Sequence, residues 1–165
     1  MWFRIVHAAV VLTTVAWSCS TLTGPPSGGI VIKLDVNSTV GSPGHGITAK
    51  AKVTNQGMVP VRYVTGCTTS AIRIAILAEG EAQPYDPCSC PTPCVTPACA
   101  GQVVSLQRGQ TAEGSTVFDG TLYNCDGAFA APAGHYTVVA TFVGKDARSH
   151  PITLTESKSF DWSTH

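Results

Sequence analysis

The clearest pattern in the chain is the stretch Gly46 to Thr54 (GITAKAKVT), where Ile47, Ala49, Ala51 and Val53 alternate with Thr48, Lys50, Lys52 and Thr54. A period of two puts one set on a buried face and the other in water, so the stretch predicts a half-buried strand. Asn55-Gln56-Gly57 supplies turn chemistry, and Val59 to Val64 (VPVRYV) reads as the next strand. Pro60 cannot donate to a ladder, which places it at a strand start or an edge. Ala71 to Leu77 (AIRIAIL) sets Ile72, Ile74 and Ile76 against Arg73 and Ala75, and its β-branched content favours strand over helix. Further strands are predicted at Ile30 to Val36, Gln102 to Leu106, Ser115 to Tyr123, His135 to Val143 and Pro151 to Glu156. About eight strands separated by turn signals, with almost no helix, predict an all-β chain: an immunoglobulin-like antiparallel β-sandwich.

The N-terminus carries a different pattern. Met1 to Arg4 is short and basic, and Ile5 to Trp17 is an apolar run of thirteen residues ending at Ala16-Trp17-Ser18. That is short for a membrane span and has the parts of a secretory signal peptide, with cleavage expected between Ser18 and Cys19. Ala16-Trp17-Ser18-Cys19 resembles a bacterial lipobox, in which the first cysteine of the mature chain is lipidated on sulfur. Ala16 stands where leucine is usual. An ordinary signal peptidase cutting the same bond would leave Cys19 unmodified and the protein secreted. Ser20 to Gly29 (STLTGPPSGG) reads as a flexible tether. The expected organisation is therefore residues 1–18 signal peptide, 19–29 lipidated cysteine and tether, and 30–165 a single sandwich domain, in a protein exported to the cell envelope and lipid-anchored to a bacterial membrane.

Charge adds an exclusion. Of ten basic and ten acidic residues, removal of Arg4 leaves nine basic against ten acidic, and charged residues make up only 12% of the chain. With no basic run or patch in the sequence, nucleic acid is a poor partner.

The cysteines carry the most individual chemistry. Residues 84 to 101 (PYDPCSCPTPCVTPACAG) hold four cysteines and five prolines in eighteen positions, with Cys88, Cys90, Cys94 and Cys99 spaced C-x-C-x3-C-x4-C. Structural zinc sites and catalytic dithiols both favour C-x2-C pairs, and the stretch has none. Export to an oxidising compartment favours disulfides. Seven cysteines are odd in number. If Cys19 carries lipid, six candidates remain: Cys67, Cys88, Cys90, Cys94, Cys99 and Cys125. Cys88 and Cys90 are too close to bond to each other without strain, and the connectivity is otherwise open. Bridges to Cys67 or Cys125 would clamp the long connection from Ala78 to Gly101 onto the sandwich.

No catalytic constellation emerges, and no cofactor or metal is expected. His45 lies in a turn, His135 opens a strand and His150 precedes Pro151. A nucleophile elbow is missing, and Glu79 and Glu81 read as solvent-facing. Asp119, Asn124 and Asp126 lack the pattern of an EF-hand loop. Asn37-Ser38-Thr39 is a glycosylation sequon, which matters only in a eukaryotic host.

Four stretches together resemble the BsuPI-type intracellular proteinase inhibitor family. They are Lys52-Val53-Thr54-Asn55-Gln56-Gly57, Pro60-Val61-Arg62-Tyr63-Val64-Thr65-Gly66-Cys67, Leu106-Gln107-Arg108-Gly109-Gln110 and Ala131-Pro132-Ala133-Gly134-His135-Tyr136-Thr137-Val138. The resemblance spans roughly residues 30 to 160 and implies a β-sandwich with a proteinase-binding role. Two features depart from the family: the export signal and the cysteine loop. No inhibitory residue carries over. The expected function is a non-enzymatic, lipid-anchored envelope module that binds a protein partner, a proteinase by resemblance. The alternatives are a purely structural or accessory envelope domain and a metal-handling envelope protein using cysteine thiolates.

Denatured without reductant, the mature protein is expected to show no reactive thiol among the six candidates in a thiol count. Six reactive thiols would sink the disulfide reading and favour metal handling.

Overall fold

The computed structural model describes residues 29–66, 70–81 and 101–165, and these form eleven strands and no helix. They are β1 (Ile30–Val36), β2 (Val40–Gly41), β3 (Ile47–Asn55), β4 (Val61–Thr65), β5 (Ile72–Ala78), β6 (Gln102–Leu106), β7 (Thr111–Phe118), β8 (Thr121–Asn124), β9 (Gly127–Ala130), β10 (Gly134–Lys145) and β11 (Pro151–Trp162). The segments expected to be a signal peptide and, but for Gly29, a tether, together with the cysteine-rich stretch at 84–100, and with them Cys19, Cys67, Cys88, Cys90, Cys94 and Cys99, lie outside the described residues. No helix among the described residues is long and apolar enough to cross a membrane.

The strands build a β-sandwich. One sheet has the order β1-β3-β7. The other runs β2-β11-β10-β4-β6, with β5 also paired to β10. β8 and β9 form a separate hairpin. The twelve-residue β10 is the spine of the second sheet: β11 follows it over its whole length, from Gly134↔Trp162 to Lys145↔Pro151. Its opposite edge is shared end to end, by β5 from Tyr136↔Ala78 to Phe142↔Ile72 and by β4 at Lys145↔Arg62.

Alternation sends one face of each sheet inward. Ile47, Ala49, Ala51 and Val53 of β3 meet Tyr136, Val138, Ala140 and Phe142 of β10, all of them buried. Small alanines on the facing strands leave room for the large rings, as close packing of a core requires. Phe118 anchors the aromatic end, with its ring centroid 5.5 Å from Tyr136, 5.6 Å from Phe160 and 4.9 Å from Trp162. Burial raises the pKa of the Tyr136 hydroxyl, and Glu81 adds to the shift. That hydroxyl donates back to the Pro132 carbonyl at 2.8 Å, closing the corner that leads into β10.

Asn55 ties the two sheets together. Fully buried at the end of β3, it donates through Nδ2 to the carbonyls of Val59 at 2.9 Å and Leu106 at 2.8 Å, and its Oδ1 accepts from the Gly57 amide at 2.9 Å. Its backbone N–H donates to Gln110 O and its carbonyl accepts from Gly109 N. One side chain thus satisfies groups in the turn before β4 and at the end of β6.

The sequence-based strands are mostly present, with displaced ends. The strand expected over Ser115 to Tyr123 is two strands, because Asp119-Gly120 forms a turn. The Asp119 carboxylate accepts from Thr121 N at 2.9 Å, and Gly120 has φ of 90°. A side chain at Gly120 would also collide with the indole ring of Trp162. β9 was not expected, since Gly127-Ala128-Phe129-Ala130 is exposed throughout and shows no alternation. β11 runs to Trp162 rather than Glu156, and β4 begins at Val61, after Pro60.

Asn55→Ala leaves the buried Leu106 carbonyl and the partly buried Val59 carbonyl and Gly57 amide without their partner. It is expected to lower unfolding stability by about 2–3 kcal/mol in urea denaturation. Asn55→Asp, which sets a carboxylate against the Val59 and Leu106 carbonyls, should cost more at neutral pH than Asn55→Ala. Wild-type midpoints for both variants would refute this role.

Candidate functional site

The same alternation that fills the core presents a second set of side chains outward. On β4, Val61 and Tyr63 point in and Arg62 and Val64 point out; on β6, Val103 and Ser105 point out; on β10, Thr141, Val143 and Lys145 point out. Val64 pairs directly with Val103, and Arg62 pairs with Ser105 on one side and Lys145 on the other. Val64, Val103 and Val143 are 60%, 63% and 60% exposed, an apolar strip across three neighbouring strands.

Two open clefts adjoin along this strip and share Val64 and Val143. The larger, about 550 Å³, is lined by residues that include Ser70, Arg73, Ser115 and Thr141. The smaller, about 420 Å³, includes Arg62, Val103, Lys145 and Ser149. Three cations and no carboxylate line the pair. Among the described residues the ion pairs are Lys52–Glu113, His135–Asp161 and His150–Asp146, so none engages Arg62, Arg73 or Lys145.

A tight turn fixes the rim of the smaller cleft. Asp146 Oδ1 accepts from Arg148 N at 2.8 Å and His150 N at 2.9 Å, and Oδ2 lies 3.1 Å from His150 Nδ1. The backbone closes with Asp146 N to His150 O and Ser149 N to Asp146 O, each 3.0 Å. Ser149 takes φ of 65° in this turn. The His150 amide, followed by the Arg148 amide and the His150 ring, holds the Asp146 carboxyl below its ordinary value of 3.8.

The β8–β9 hairpin is the other outlying feature. Tyr123 and Phe129 are exposed on it, and Asn124 Oδ1 accepts from Asp126 N at 2.9 Å across its two-residue loop. Cys125 occupies that loop and is disulfide-bonded. It is the one candidate cysteine that falls within the described residues. Asn124 and Asp126 are thus engaged in turn geometry, as is Asp119. No group of three or more His, Cys, Asp or Glu side chains among the described residues could hold a metal ion. His45 lies in the Ser42–His45 bridge between β2 and β3, and His135 meets Asp161 at 2.8 Å across β10 and β11.

Sequence reasoning did not single out Arg62, Val64, Arg73, Val103, Val143 or Lys145. The available signal was the alternation itself: Val64 falls on the face opposite Val61 and Tyr63, where a soluble surface favours polar residues.

No family model matches the chain, and no curated protein matches it. Among solved structures, a β-glucosidase from Listeria innocua superposes with a TM-score of 0.44 at 11% identity, over 82% of this chain and 16% of that one. A β-glucosidase from Erythrobacter marinus gives 0.45 at 11% identity, over 81% and 15%. The ASH/PapD-like domain 7 of human CEP192 gives 0.40 at 11% identity, over 98% and 99%. The chain spans about a sixth of the glucosidases it resembles, and at these scores the likenesses assign neither family nor activity.

Because Asp146 is held charged in the folded protein, its support of the turn is complete above the ordinary aspartate value and is lost as pH falls through its lowered folded value. Asp146→Ala is therefore expected to speed hydrogen exchange at the Arg148 and His150 amides at pH 6 and above. Equal protection in variant and wild type would show that the carboxylate does not hold the turn.

Proposed function

We propose that this chain is an exported, lipid-anchored, non-enzymatic binding module of a bacterial envelope, built on an immunoglobulin-like sandwich. The observation that carries the reading is the outward strip of Val64, Val103 and Val143, each about three-fifths exposed beside two adjoining clefts. Contiguous apolar surface of this kind costs solubility unless something covers it, and it marks interaction sites. Rigid strands, rather than loops, present it, so little ordering is required on binding.

The bond from the Tyr136 hydroxyl to Pro132 O has the form of the tyrosine corner of immunoglobulin-like sandwiches. The basic, apolar and small-residue segments ending at Ser18-Cys19 support export and anchoring. The disulfide at Cys125 agrees with an oxidising compartment. The BsuPI-type resemblance makes a proteinase the first partner to try.

Titration of a panel of serine and cysteine proteinases with the mature protein is expected to abolish the activity of at least one at a stoichiometric ratio. Full residual activity throughout would remove the inhibitor version, and a pull-down from envelope extract compared between wild type and Val64→Asp would then decide whether the strip binds any protein.

A further inference from the structure

The charge of the strip narrows its partner, given the binding-module reading above. Arg62 and Lys145 stand directly opposite each other on β4 and β10, both exposed. Like charges in directly paired positions destabilise a sheet, and nothing among the described residues neutralises them. Arg73 is the third cation, paired with Thr141 on β10. On the outward face of the first sheet Lys52 pairs with Glu113 at 2.7 Å and Lys50 stands opposite Asp35, while Lys33, opposite Lys52, has no ion pair among the described residues. What marks the clefts is that three cations without an ion pair among the described residues flank the exposed Val64, Val103 and Val143.

Spacing gives the partner a shape. The β10 partners of Arg73 and Arg62 are Thr141 and Lys145, four residues apart, or about 13 Å along the strand. Between them Val143 faces outward beside Val64. An extended peptide laid along β10 presents residues i, i+2 and i+4 on one face over the same distance. We propose that the two clefts receive an extended segment of a partner protein in which two acidic residues flank an apolar one at i, i+2 and i+4. The first carboxylate meets Arg73, the apolar side chain covers Val64 and Val143, and the second carboxylate bridges Arg62 and Lys145.

The probe is a fluorescein-labelled peptide, Gly-Glu-Thr-Val-Thr-Glu-Gly, titrated with the mature protein at low salt and read by anisotropy. Binding is expected to fall about tenfold in the double variant Arg62→Glu/Lys145→Glu, the order expected for reversing exposed ion pairs. It should fall similarly when the two acids of the peptide are replaced by lysine. Lys33→Glu, on the outer face of the first sheet, should change nothing, and unchanged urea midpoints would establish that each variant is folded. Equal binding of the acidic and lysine peptides, both lost in Val64→Asp, would overturn the acidic assignment while leaving the strip a binding surface. Absence of peptide binding together with capture by phosphatidylglycerol vesicles that is lost in Arg62→Glu/Lys145→Glu would overturn it in favour of a lipid surface. Absence of both would overturn it outright, and the proteinase titration and pull-down would then judge the wider reading on their own.

Discussion

The outward side chains of β4 and β6 depend on a polar side chain buried at the end of β3. Asn55 is the junction where a strand of the first sheet is fastened to the turn before β4 and to the last residue of β6. A buried amide is costly unless its donors and acceptor are all used, and here they are. Because β4 and β6 carry Arg62, Val64 and Val103, the position of the strip relative to the core is set by hydrogen bonds of fixed direction. Packing alone would tolerate sliding of β4 against its neighbours.

The legibility of this arrangement in the sequence follows its physics. β1, β3, β6 and the greater part of β10 were visible because half-buried strands need alternation, and alternation survives in a single sequence. Asn55 was visible only as turn chemistry; its role as a clamp requires knowing that Val59 and Leu106 converge on it. Gly120 looked like one more residue of a continuous strand, since nothing local reveals that Trp162 will lie across it. The clefts were less legible still. Arg62, Arg73 and Lys145 are far apart in sequence and become one site only through the register of β4, β5 and β10. Most of the cysteines, which dominated the sequence reading, lie beyond the described residues, and Cys125 alone joins the two accounts.

The two outward faces differ in how their side chains are sorted. The first sheet sets Lys52 against Glu113 and Lys50 opposite Asp35, and leaves Lys33 without an ion pair among the described residues and Val117 exposed. On the second, His135 meets Asp161 at one end of β10, while Val64, Val103 and Val143 and three cations without an ion pair among the described residues gather at the clefts. The contrast matters more than the overall charge of the chain, which is close to zero. A net charge says nothing about how the signs are sorted between faces.

The shared edge of β10 has a mechanical meaning. A strand bordered by one continuous neighbour unzips as a unit, whereas β10 is bordered by β5 along one stretch and by β4 beyond it, with a seam near Phe142 and Val143. Two short neighbours laid end to end can open separately, so protection against exchange need not be uniform along that edge. The strip straddles the seam, with Arg73 on one side and Arg62 on the other. A ligand spanning both would act as a splint, making two locally independent ladders behave as one.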